Sequence, residues 1–476
     1  MSDSKVLFIK PPDRFLDNEF VYQQLGPHYL QSYLAQHNIA SDMLVLYEPD
    51  PVRKSRTDGS LGKISLDQLN MLLIKDGSQI DVPFDKNVFG DYSILGLSVM
   101  SPQAPDSYLL SGLINKEFPH LTTVIGGSHP RYYLSSVKTL PEEIAFDFVV
   151  PYEGWNPMLD IASGNLKKGA KSQVLIDQPK NLQSFPAPSR PLELMEKYNF
   201  NIAGVPAFHT ITALGCPFSC NFCESGRESV RRFSDKMISL DLENMAQAHR
   251  DLGRDKYSVM FFDDVGLMTP QQVEGLSQLV SESKFTTWRA FTHAYLVVKH
   301  NERLLKPFYN TGGRRIGMGL ETGSQRSLDM INKRNGQKQN VYEHYDAVRI
   351  ANDLGIAVDA FTMIYPWEDE SDLKATTELI QFVIANPVKG LDEQGRPLKN
   401  YVDSSIMTPY QGTRFNEMIG LGQIENVEMI QNMDPGMLFY KGNHGGSGWP
   451  YKKTRLPKER YEEEQEYRNS LRPKYR

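Results

Sequence analysis

Between residues 5 and 154, and again between 208 and 415, short apolar runs alternate with stretches of helical periodicity. That order leaves few folds open. Parallel strands need a crossover between them, and a helix is the usual one. In the first third the runs are "KVLFIKPPD" (5–13), "SDMLVLYEPD" (41–50), "YSILGLSVMS" (92–101), "TTVIGGSHP" (122–130) and "FDFVVPYEG" (146–154). "YSILGLSVMS" is apolar almost throughout, as a strand covered on both faces should be. One helix is expected over 25–38, burying Leu30, Tyr33 and Leu34, and another carries Leu109, Leu110, Leu113, Ile114 and Phe118 at helical spacing. The expectation is a doubly wound, Rossmann-like α/β domain over residues 1–178, with its ligand at the carboxyl ends of the strands. G-x-G-x-x-G is missing after the first strand, which argues against a dinucleotide site.

In the second region the strands are read at 208–215, 257–267, 287–296, 314–324, 356–370 and 401–415. Helices are expected around Leu240 to Leu252, and where Val341, Tyr345 and Val348 share a face before Gly355. Strands and helices alternate over 208–415 as a parallel barrel requires. The Pro- and Ser-rich stretch inside 179–207 reads as a linker, and 416–476 as a C-terminal extension. There "YKGNHGGSGWPYKK" (440–453) suits either a loop closing over a substrate or a surface tail, and the charged ending reads as a solvated helix.

At 476 residues the chain is long enough for two or three cores. The net charge of -6 argues against a protein that tracks nucleic-acid phosphates. The apolar run Val6 to Ile9 is too short for a secretion signal, and no run approaches the ~18 residues that span a bilayer. A cytoplasmic location is expected.

All three cysteines, Cys216, Cys220 and Cys223, lie in "TALGCPFSCNFCESG" (212–226). Three thiols cannot pair evenly, and structural zinc usually takes four ligands. Zinc would have to borrow one, and His209 is the nearest candidate. A 4Fe–4S cluster on three thiolates fits the count better, because one iron stays open to a substrate or cofactor. Gly215 and Pro217 bend the loop, Ser219 and Asn221 offer small polar groups, and Phe222 offers a flat face beside the last thiol.

C-x3-C-x-aromatic-C resembles the cluster motif of the radical S-adenosylmethionine (SAM) superfamily. The resemblance implies that the open iron chelates SAM, and that the reduced cluster cleaves SAM to methionine and a 5′-deoxyadenosyl radical. It also implies that 208–415 form a partial (β/α)6 TIM-type barrel, and it assigns roles downstream. Asp263 and Asp264 end the second strand, where the family holds the SAM amino group; either could instead cap a helix. His293 lies near the end of the third strand, as a cofactor contact or a core histidine. "GLETGS" (319–324) is similar to the family's G-x-E-[ST]-G-S segment, in which Glu321 would bind the SAM ribose and Ser324 would cap the next helix or touch SAM.

The N-terminal domain resembles the cobalamin-binding domain of the largest radical SAM subfamily. "GLSVMSPQ", "VIGGSHP" and "YEG" match its three loops, which places Ser98, Met100, Gln103, Gly126, Gly127 and Glu153 toward a corrinoid. No histidine lies in a D-x-H-x-x-G sequence, so no lower cobalt ligand is evident. The implied activity is hydrogen abstraction from an unactivated carbon followed by cobalamin-dependent C-methylation of a small-molecule substrate. An external one-electron reductant such as flavodoxin or ferredoxin is implied. The alternative is a radical dehydratase, cyclase or rearrangement enzyme that keeps the first domain as scaffold.

Overall fold

The computed structural model describes residues 4–13, 16, 18–49, 65–75, 77–169, 172–226, 228–334, 336–430 and 449–473. They fall into two compact units, one within Met1–Tyr198 and the other within Asn199–Asn432 and Trp449–Arg476.

The strands of the first unit are Val6–Lys10 (β1), Ser41–Tyr47 (β2), Asn70–Lys75 (β3), Ser78–Pro83 (β4), Ile94–Ser98 (β5), Thr122–Gly126 (β6), Phe148–Val149 (β7) and Gln173–Val174 (β8). They form one sheet in the order β4-β3-β2-β1-β5-β6-β7-β8. β1 is parallel to both β2 and β5, so the winding reverses between them, which is where such sheets bind ligands. All five expected strands are present. The antiparallel hairpin β3–β4 and the short β8 were not foreseen. The hairpin had a signal in "KDGS": Gly77 takes φ +71°, as a tight two-residue turn requires. β1 is buried along its whole length. Leu7, Ile9, Leu95, Leu97 and Ile125 form the core with Leu110 and Ile114 of the helix Ala104–Glu117. Leu109 of the same helix points outward, and in the helix Leu25–Gln36 only Leu34 of the three expected residues is fully buried.

The second unit contains Asn201–Ile202 (β9), Val205–Thr210 (β10), Ala213–Leu214 (β11), Arg231–Arg232 (β12), Ser258–Phe261 (β13), Thr287–Thr292 (β14), Gly313–Glu321 (β15), Ala357–Ile364 (β16) and Tyr401–Ile406 (β17). The sheet order is β17-β16-β15-β14-β13-β10-β9. Six of these strands, β10 to β17, run parallel in chain order, and β9 is an antiparallel edge. The crossovers are helical, including Asp235–Asp251 (α1), Pro270–Glu282 (α2), Ala294–His300 (α3), Gln325–Ile331 (α4), Tyr342–Asp353 (α5) and Glu370–Ala385 (α6). This is the strand order of a partial (β/α)6 barrel.

Two expectations are corrected here. The strand expected at 208–215 stops at Thr210, and β11 turns away to pair with β12. The charged C-terminal helix, Lys458–Ser470 (α7), is not solvated all round. It buries Tyr461, Glu464, Gln465, Arg468 and Asn469. Its charges are matched internally, with Glu464 paired to Arg460 and to Arg468, each at 3.0 Å. Asn469 accepts from Ser404 N of β17 at 3.2 Å. Most of the 440–453 segment lies outside the described residues. Among the described residues no helix is long and apolar enough to cross a membrane.

Candidate cofactor site

The cysteine loop is held at its neck and at its middle. β11 and β12 pair on either side of it, and Gly215 enters it at φ +91°. A Cβ there would lie 2.6 Å from Ser229 O, so only glycine fits. Asn221 is the central clamp. Its backbone nitrogen donates to Ile331 O and its side chain to Met330 O, both at 2.8 Å, which fixes the loop to the end of α4. Its carbonyl accepts from Phe415 N at 2.8 Å.

The thiols are free of disulfides, with Cys216 buried and the other two half-buried. Burial pushes Cys220 up to about 12 and Cys223 to about 11, and raises Cys216 as well. Metal ligation needs thiolates, so iron binding here must release protons. Among the described residues no three His, Cys, Asp or Glu side chains gather around a single ion position. His209, the candidate fourth ligand for zinc, is buried between the rings of Phe200 and Phe262. Three thiols on one clamped loop therefore suit a multi-iron cluster better than zinc.

Glu321 ends β15 beside this loop. Its backbone is left-handed, with φ +64°, and the ladder with β16 shifts between Gly319 and Glu321. Lys333 Nζ donates to Glu321 Oε1 at 2.8 Å, and both side chains are buried. The fields of Lys333 and Glu321 both reach the Cys220 thiol, Lys333 favouring the thiolate and Glu321 opposing it. Lys333 was not foreseen in the sequence.

The two aspartates at the end of β13 separate. Asp263 is buried against Thr212, four residues before Cys216. Asp264 is exposed, and its charge raises the Cys216 and Cys223 thiols. Asp264 is thus the one accessible to a ligand. His293 caps α3 by accepting from Tyr295 N at 3.1 Å, and its ring packs on Phe218 of the cysteine loop at 4.4 Å. Burial, with Lys333 nearby, pushes His293 well below the ordinary imidazole range. Ser324 caps α4 and donates to Asp372 at 2.5 Å. Phe222 is half-buried beside Cys223.

In the first unit the loops after β5, β6 and β7 meet. Val99 N donates to Gly126 O, and Val150 N to Ile125 O, each at 2.8 Å. Gly127 has φ +96°, and a Cβ on it would lie 2.6 Å from Val99 O. Its glycine is required by this contact between loops. Gln103 is buried and accepts from Met100 N at 2.9 Å while donating to Pro11 O at 3.2 Å, bracing the β5 loop against the end of β1. Ser98 and Glu153 are half-buried and Met100 exposed at these carboxyl ends. His129 is engaged at both ring nitrogens, by Tyr108 at 2.7 Å and Ser101 at 3.2 Å. These residues suit a ligand held through hydroxyl, thioether and backbone contacts, without ligation by His129.

The radical SAM superfamily model matches residues 210–380. An uncharacterized methyltransferase of Pyrococcus horikoshii is 26% identical over 344 residues, 69% of this chain and 69% of its own length. OxsB, a cobalamin-dependent S-adenosylmethionine radical enzyme solved with aqua-cobalamin, aligns with a TM-score of 0.68 at 15% identity, over 96% of this chain but 65% of that one. TsrM from Kitasatospora setae, a radical S-adenosylmethionine methyltransferase solved with cobalamin and a [4Fe-4S] cluster, aligns with a TM-score of 0.62 at 11% identity, over 94% of this chain and 84% of that one. At such identities the two structures establish the fold.

Proposed function

We propose that this chain is a cobalamin-dependent radical SAM methyltransferase acting on carbon, a reading supported by the radical SAM superfamily match over residues 210–380. The observation that carries this reading is the clamped loop of Cys216, Cys220 and Cys223 beside the buried Glu321, at the carboxyl ends of parallel barrel strands. When bound, the cluster would supply the electron for reductive cleavage of SAM, and cobalamin would supply the methyl group.

The chain's residues position and shield this chemistry. Cys216, Cys220 and Cys223 would hold a 4Fe–4S cluster through their thiolates. Asp264 takes the SAM amino group, while Asp263 stays buried and fixes the start of the loop. Glu321 accepts from the ribose hydroxyls. Phe222 and the Phe218–His293 pair wall the loop from water, and Ser324 keeps α4 in place through its cap. Residues 1–178 bind cobalamin at the carboxyl ends of β5, β6 and β7, through Ser98, Met100, Gly126, Gly127 and Glu153, with Gln103 bracing the first loop. Of the stretch 179–207 expected as linker, the part from Asn201 belongs to the barrel sheet through β9 and β10; the radical-forming barrel then runs to 415, and 416–476 form an extension. The substrate is a small molecule, the electron comes from a flavodoxin or ferredoxin, and the protein works in the cytoplasm.

The test is anaerobic expression with hydroxocobalamin supplied, followed by cluster reconstitution and reduction with SAM present. The reading expects stoichiometric corrinoid and reductant-dependent cleavage of SAM. Turnover of SAM and substrate with no corrinoid bound would favour the dehydratase or rearrangement alternative.

A further inference from the structure

We infer that Lys333 is a positioning residue that sets the Glu321 carboxylate against the cysteine loop and supplies positive charge beside the cluster thiolates. The inference rests on the radical SAM reading of the site.

A left-handed backbone at a residue other than glycine costs about 1–3 kcal/mol, so Glu321 needs its surroundings to hold it. Lys333 provides that hold. Its ammonium donates both to the Glu321 carboxylate and to the carbonyl of Gly319. A Cβ on Gly319 would fall on Glu321 Oε1 and lie 2.8 Å from Lys333 Nζ. The glycine two residues before the glutamate therefore makes room for the ion pair over the strand. Among the described residues the pair uses Oε1, which leaves Oε2 to accept from a ligand hydroxyl.

The same turn grips the cysteine loop. Asn332, the left-handed cap at φ +55°, donates to Ser219 at 3.3 Å. Ile331 and Met330, just before it, accept from Asn221. Ser219 and Asn221 flank Cys220, so one turn fixes both sides of that thiol while Lys333 fixes Glu321. The next cation, Arg334, lies over the Tyr295 ring at 3.7 Å and pairs with Glu343 at 3.1 Å, directed elsewhere. Lys333 follows Asn332 directly, so its ammonium lies beside the loop that carries Cys220. Thiolates and a carboxylate gathered in one buried site repel each other, and an ammonium among them offsets that repulsion. Adding an electron to a cluster there is easier with the cation present.

K333M and G319A separate the two roles. Both are reconstituted anaerobically and compared with wild type by iron content, SAM affinity and the cluster midpoint potential from an EPR-monitored titration. K333M should load iron through its intact cysteines, bind SAM about tenfold more weakly or worse, and show a more negative potential. K333R should restore the potential because it keeps the charge. G319A keeps every charge but displaces the carboxylate and crowds the ammonium, so it should lose SAM affinity while still loading iron. If K333M does not accumulate folded, G319A still decides the positioning role. A K333M protein with wild-type SAM affinity and potential, or a G319A protein with wild-type SAM affinity, overturns the inference. Wild-type protein that takes up no cluster or no SAM would instead overturn the functional reading beneath it.

Discussion

Asp263 accepts two hydrogen bonds from Thr212, one from the backbone nitrogen at 3.0 Å and one from the hydroxyl at 2.7 Å. The carboxylate at the end of β13 thereby fixes the segment that leads into Cys216. Its neighbour Asp264 is exposed toward the thiols. The two carboxylates should respond differently to substitution. D263A leaves two buried donors unsatisfied and should cost about 1–3 kcal/mol of stability, with reduced iron loading. D264N should keep stability within about 0.5 kcal/mol and iron content intact, while weakening SAM binding. Thermal melts and iron analysis check both. Equal loss of SAM affinity at unchanged stability would contradict this division.

His129 lies in the β6 loop, where a corrinoid is proposed, yet both its nitrogens are occupied by Tyr108 and Ser101. Burial pushes it down to about 4, so it stays neutral at working pH. Its ring stacks on Tyr133 at 5.0 Å. The expectation is that H129Q lowers the melting temperature but leaves the visible spectrum of bound cobalamin unchanged. A spectral shift on substitution would identify His129 as a cobalt ligand.

Glu368 gives the fold a predictable pH dependence. It is buried beside Glu321's neighbour Thr322, which donates to it at 3.3 Å, while Tyr365 N donates at 3.2 Å. Burial pushes its carboxyl up to about 7 against the opposing pull of Arg468. A carboxyl raised on folding favours the protonated form. Its contribution is complete below the unfolded value near 4.5 and is lost as pH rises through about 7. E368Q mimics the protonated state. Wild type and E368Q should match in stability near pH 4.5, and E368Q should gain relative to wild type as pH rises, by up to about 3 kcal/mol. Denaturant melts across that window check the sign. A gain confined to low pH would refute it.

The sequence carried the parts of the fold that follow from local periodicity. Every expected strand appears, because parallel strands buried on both faces leave continuous apolar runs such as Val6–Ile9. The β3–β4 hairpin carries its turn in "KDGS", but its second strand, Ser78–Pro83, is exposed along its whole length and lacks the apolar run of a buried strand. Lys333 was illegible for another reason. Its contact with Glu321 depends on a bulge in β15 and a left-handed turn at Asn332, and neither has a period. The glycine at 319 was its only local sign. The charge run in α7 hides a packed face, because Glu464 pairs with both Arg460 and Arg468, Glu370 takes a share of Arg460, and that face can then bury.

The most direct test of the account is iron and SAM binding in the triple variant C216A/C220A/C223A beside wild type, both reconstituted anaerobically. Wild type should carry about four irons per chain, and the EPR spectrum of its reduced cluster should change when SAM is added. The triple variant should carry essentially none and show no SAM-dependent signal. A triple variant that still held about four irons per chain, with a spectrum that SAM perturbed, would contradict the account.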